Sequence, residues 1–166
     1  MMRTLLLTVG AITALAGIVV AVDGPTKDGL WSMHMVNTIT WAGKAPQITD
    51  TTMSRCQAKY KLPQLPDNLP KGMECGTTSD RSKGDTRSIE MQCASKGQTI
   101  RVKSTITMKG ENQGHTTTAS TFDPPMNGAS GMKLVVDWKY MGACPAGVKT
   151  GDLVGPDGKI LNPRKN

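Results

Sequence analysis

Threonine, valine, isoleucine and methionine alternate with polar side chains along most of the chain beyond its apolar opening. A period of two places alternate residues on opposite faces of a β-strand, and no long helical period competes with it. Leu30–Trp41 shows the pattern clearly. One face carries Trp31, Met33, Met35, Ile39 and Trp41, and the other carries Ser32, His34, Val36, Thr38 and Thr40. The turn AGKAP leads into a second strand over Gln47–Cys56. Further on, Arg87–Cys93 aligns Ile89, Met91 and Cys93. Gln98–Lys109 aligns Ile100, Val102, Ile106 and Met108, with Thr99, Arg101, Lys103, Thr105 and Thr107 opposite. ASKG and GENQG are hairpin-sized connections. His115–Phe122 is rich in threonine and alternates poorly, which predicts an edge or strongly solvated strand. Met132–Cys144 sets Met132, Leu134, Val136, Trp138 and Tyr140 against Lys133, Asp137 and Lys139.

The stretch QAKYKLPQLPDNLPKGMECG contains Pro63, Pro66 and Pro70, which preclude regular structure there. TTSDRSKGD reads as a continuation of that loop, and DPPMNGASG as another loop. A long irregular stretch in a small domain calls for a staple or a function. In the tail, GPDG is a turn signal, so Val148–Leu161 is expected to form a loose hairpin. The predicted fold is therefore all-β: a curved antiparallel sheet or small meander barrel of about six strands. The Pro-rich loop is its expected cover.

The chain opens MMRTLLLTVGAITALAGIVVA. Arg3 followed by an uncharged apolar run, with Val19 and Ala21 as small residues before a cut, is the layout of a signal peptide. The run is shorter than the roughly 20 residues that span a bilayer. Cleavage after Ala21 is expected. Residues 1–21 are then a signal peptide, 22–144 a single β-domain and 145–166 a C-terminal tail. The expected location is periplasmic or secreted, with a mature form that does not span the membrane. The net charge of +7 suits contact with anionic envelope surfaces, whereas 4% aromatic residues offer no base-stacking platform for nucleic acid. Four cysteines in an oxidising compartment imply two disulfides. Three pairings are possible, of which Cys56–Cys75 and Cys93–Cys144 is the expected one. The first would close the Pro-rich loop and the second would tie the last strand to the middle of the sheet.

The order of these features resembles a family of exported bacterial proteins, domain of unknown function 3617. The opening DGLWSMHM is similar to that family's Gly-x-Trp start, carried here by Gly29 and Trp31. Cys56, Cys75, Cys93 and a terminal MGAC ending at Cys144 follow in the family's order, and KGQTIRVKSTITMKG resembles its middle hairpin. The resemblance spans Asp28 to Cys144 and implies an exported β-protein. It carries no catalytic residues with it.

Candidate chemistry is sparse. Trp31, Met33 and Met35 share a strand face, and thioethers beside an indole resemble a soft-metal site for copper or silver. His34 points the other way. The same three residues also continue the apolar pattern of a core strand, where methionine serves as a gap-filler, and core packing is the expected role. No GxSxG elbow occurs. SGMK at Ser130–Lys133 fits S-x-x-K without its companions, and no pair of glutamates converges. Arg101 with Lys103, and Lys133 with Lys139, define basic positions that suit an anionic surface. The reading reached is a non-enzymatic exported binding or accessory protein without a cofactor, holding a small hydrophobic ligand. A soft-metal binding protein and an interaction subunit of an envelope complex are the alternatives.

Overall fold

The computed structural model describes residues 27–58, 72–155 and 157–161. The predicted signal segment 1–21 and Pro63, Pro66 and Pro70 lie outside the described residues. The strands are β1 (Gly29–Trp41), β2 (Gln47–Gln57), β3 (Glu74–Lys83), β4 (Thr86–Ser95), β5 (Gln98–Lys109), β6 (Gln113–Met126), β7 (Ala129–Gly142) and β8 (Leu153–Val154). All eight form one sheet in the order β3-β4-β5-β6-β7-β1-β2-β8, with every pair antiparallel. β3 to β7 are a meander closed by short turns. Gly84 and Gly97 sit at two of these turns with φ of 56° and 77°, a conformation open to glycine without a Cβ clash. β1 then lies alongside β7, and β2 alongside β1.

The all-β class and the curved antiparallel sheet hold. Closure into a six-stranded barrel does not, because β3 and β8 end an open sheet of eight strands. Three stretches depart from the sequence reading, the first being DPPMNGASG, which is not a loop but the end of β6 (to Met126) and the start of β7 (from Ala129) around a two-residue turn. TTSDRSKGD is not loop but most of β3, an exposed edge strand whose polar residues face solvent. His115–Phe122 is not an edge either. It lies within β6, between β5 and β7. Its inward residues Thr116, Thr118 and Ser120 are buried, and the Thr118 hydroxyl lies 2.9 Å from that of Ser104 on β5. The inward face is hydroxylated, so the apolar alternation that marks a buried strand is missing.

The disulfides are Cys75–Cys93 and Cys56–Cys144, with Cα separations of 4.0 and 5.6 Å. The expected pairs Cys56–Cys75 and Cys93–Cys144 are therefore corrected. Cys75 faces Cys93 directly in the β3–β4 register, a proximity that reading β3 as loop concealed. Leu30 pairs with Cys56 on one side and with Gly142 on the other. That register delivers the end of β7 to the end of β2, where Cys144 meets Cys56. The tail continues onto the β2 edge. The Cys56 amide donates to the Asp152 carbonyl at 3.1 Å, and the Gly151 amide donates to the Cys56 carbonyl at 2.7 Å. β8 then pairs with β2, and a hairpin returns through Gly155 and Lys159 to Leu161.

The core cluster lies on β4 and β5: Ile89, Met91, Cys93, Ile100, Val102 and Ile106. Met73, Met108, Phe122, Met126 and Trp138 pack against it. The sheet face carrying this cluster is called the inner face below.

Candidate functional site

The registers sort every strand residue onto one face. On β1 the inner positions are Trp31, Met33, Met35, Asn37 and Ile39. Opposite them across β2 stand Arg55, Met53, Thr51, Thr49 and Gln47. Across β7 stand Tyr140, Trp138, Val136, Leu134 and Met132. The two halves of this face differ in cover. On β4 and β5 the apolar inner residues, apart from Met108 near the end of β5, are 7% exposed or less. On β1, β2 and β7, by contrast, Met33, Met35, Ile39, Met53, Met132 and Leu134 are only half-buried. There Met35, Asn37, Thr49, Thr51, Met53, Met132 and Leu134 line a groove of about 260 Å³. Asn37 Oδ1 is buried and has no hydrogen-bond partner.

The predicted soft-metal trio shares this face but is not gathered at one point. Trp31 is fully buried. Its indole N–H donates to the Lys27 carbonyl at 3.1 Å, and its ring packs on Tyr140 with centroids 5.2 Å apart. Met33 Sδ accepts from the Gln57 amide at 3.4 Å. Met35 alone of the three lines the groove, together with Met53 and Met132. All four cysteines are disulfide-bonded, which leaves no thiol as a soft ligand.

The outer face holds both histidines. One register row reads Thr107, His115, Asp137, His34, Thr52 across β5, β6, β7, β1 and β2. His115 Nδ1 lies 2.7 Å from Asp137 Oδ1, and its Nε2 lies 3.3 Å from the Thr117 hydroxyl. His34 Nε2 lies 2.8 Å from Asp50 Oδ1. A groove of about 280 Å³ includes His34, His115, Asp137, Lys109 and Lys139. The two His–Asp pairs are structural cross-links between neighbouring strands. No group of three or more His, Cys, Asp or Glu side chains among the described residues is placed to hold a metal ion. Ser130 and Lys133, three apart on β7, fall on opposite faces. The Ser130 hydroxyl donates to the Thr40 carbonyl at 3.3 Å. Of the basic positions, Lys103 is paired with Glu90 at 2.8 Å. The hydrogen bond and charge of that lysine hold the Glu90 carboxyl below its ordinary pKa. A bidentate hydrogen bond from Arg87, reinforced by its charge, does the same for Asp80.

Sequence reasoning separated His34 from Met33 and Met35, and the structure agrees. It did not find that His34 and His115 flank Asp137 in one row, because that depends on the registers of β6 and β7. Nor did it bring Met53 beside Met33, although a methionine on the next strand was available as a signal.

A family model described as protein of unknown function (DUF3617) matches residues 26–144, and the chain belongs to that family. The match ends at Cys144, so β8 and the tail hairpin lie beyond it. No curated protein and no solved structure matches the chain.

Proposed function

We propose, with membership of the DUF3617 family as the premise, that this chain is an exported, non-enzymatic binding protein of the bacterial envelope. Its inner sheet face holds a small hydrophobic ligand. One observation carries the reading: the inner face is sealed over β4 and β5 but only half-covered over β1, β2 and β7, where methionines line a groove. Half-covered apolar surface gains free energy when a ligand removes it from water, at about 25 cal/mol per Å². Methionine suits such a surface because its unbranched side chain adapts to irregular shapes. A concave, mainly apolar site with few polar groups is the usual form of a small-molecule site.

Export is supported by the signal-like opening and by the two disulfides, which persist in oxidising compartments. No helix among the described residues is long and apolar enough to cross a membrane. Binding, rather than catalysis, fits an apolar groove whose wall contributes Asn37 and two threonines as its polar groups.

The test is native mass spectrometry on protein taken from the envelope of exporting cells, with displacement of a fluorescent apolar probe in vitro. The expected result is a small-molecule adduct, with probe binding lost in Thr51→Trp and kept in Thr121→Trp. Thr51 lines the groove, whereas Thr121 faces outward. An adduct-free protein on which the probe binds equally well in both variants would overturn the reading.

A further inference from the structure

We infer that the groove takes a single-chain amphiphile with an anionic head, its chain lying over Met53, Met35 and Leu134 and its head on Arg55. The inference rests on the apolar-ligand reading above and specifies the chemistry of that ligand. Arg55 follows Met53 by two residues on β2, so both side chains leave the same face, about 7 Å apart along the strand. It stands opposite Trp31, which is fully buried. The wall beside it is therefore aromatic and dry, while Arg55 itself is exposed.

Charge is sparse on the half of the inner face formed by β1, β2 and β7. The inner positions of β1 run Trp31, Met33, Met35, Asn37, Ile39. Those of β7 run Met132 to Tyr140 through Leu134, Val136 and Trp138. Those of β2 run Gln47, Thr49, Thr51, Met53, Arg55 and Gln57. Arg55 is the one charged residue among these described positions, whereas Arg87 and Asp80, which share the inner face far off on β4 and β3, are paired with each other. Among the described residues the Arg55 side chain makes no ion pair or hydrogen bond, in contrast to Arg87 and Lys103, which are paired. A guanidinium at the end of an apolar groove matches the planar, two-oxygen geometry of a carboxylate or phosphate. The groove wall from Thr49 to Met53 runs about 13 Å along the strand. Its volume of about 260 Å³ fits one extended chain rather than a multi-chain lipid.

A carboxylate head and a phosphate head share this chemistry, and the experiment separates them. Binding of palmitate, palmitoyl lysophosphatidate and hexadecanol is measured by probe displacement on wild type, Arg55→Gln and Arg55→Lys, with folding checked by circular dichroism. Wild type is expected to bind at least one anionic chain about tenfold more tightly than hexadecanol, the scale of a hydrogen bond to a charged group. Arg55→Gln is expected to remove that advantage and leave hexadecanol binding unchanged, while Arg55→Lys retains part of it. A preference for palmitate assigns a carboxylate, and a preference for the lysophosphatidate assigns a phosphate. Equal binding of anionic and neutral chains by wild type, or full retention of the preference in Arg55→Gln, would overturn the inference while leaving the groove reading intact. Failure of every chain to bind would remove the groove reading and this inference together.

Discussion

Gly29 ties together two motifs that lie far apart in the sequence. It adopts φ of +146°, and an added Cβ would strike the carbonyl of Gly142 and the ring of Tyr140. The opening Gly-x-Trp and the closing Gly-x-Cys are therefore one packed corner, where the start of β1 crosses the end of β7. Trp31 fills that corner completely. Gly29→Ala is expected to destabilise the fold by more than about 1 kcal/mol, through both conformation and clash. Trp31→Ala should cost about 3–5 kcal/mol, the range for emptying a large buried aromatic site. Urea unfolding followed by circular dichroism checks both. Acid sensitivity has its own residue-level origin. Arg87 holds the Asp80 carboxyl below its ordinary pKa, as Lys103 does for Glu90. A carboxylate depressed on folding adds stability that is complete above its unfolded pKa and is lost as pH falls through its lower folded one. The stability gap between wild type and Asp80→Asn should therefore be present at neutral pH and shrink below about pH 4. A gap that stays constant down to pH 2 in urea midpoints would contradict this.

At the scale of elements, the two disulfides do different work. Cys75–Cys93 joins facing residues of one hairpin and closes a loop of 18 residues, whereas Cys56–Cys144 spans 88. In the chain-entropy account the longer loop restricts the unfolded chain more, by about 4.6 kcal/mol against about 3.2. The Cys56→Ser/Cys144→Ser variant is expected to lose more stability than Cys75→Ser/Cys93→Ser. Peptide mapping without reduction should recover the pairs 56–144 and 75–93. The same elements show what the sequence could reveal. β1, β5 and β7 were legible because each has an apolar face with period two, and Gln98–Lys109 has the predicted bounds. β3 was hidden because an exposed edge strand has no apolar face to display. β6 was misplaced because its buried inward residues Thr116, Thr118 and Ser120 carry hydroxyls, so the apolar signal of a central strand is missing. The first of these errors propagated into the disulfide map, since Cys75 lies on β3. The site was legible only in part. Alternation placed Met33 and Met35 on one face, but the groove also needs Met53, Met132 and Leu134, which only strand register can bring to it.

Across the whole molecule, one continuous sheet face has two differently covered parts. Around Ile100 and Ile106, each 1% exposed, it is a sealed core that holds the fold together. Around Met35 and Met132 it remains half-covered. The stability cost of truncation should follow that division. Ile100→Ala is expected to lose about 2–5 kcal/mol, as emptied aliphatic core sites do. Met35→Ala should lose less than half as much in the ligand-free protein, because water already reaches that side chain. Binding reverses the contrast. A chain that binds only the folded state stabilises it by about 2.7 kcal/mol at a concentration 100 times its dissociation constant. That gain should raise the urea midpoint of the wild type and of Ile100→Ala alike, be reduced in Met35→Ala, and vanish in Thr51→Trp. Equal ligand-induced gains in all four proteins would place binding elsewhere on the molecule, whereas the graded pattern ties it to the half-covered end of the sheet.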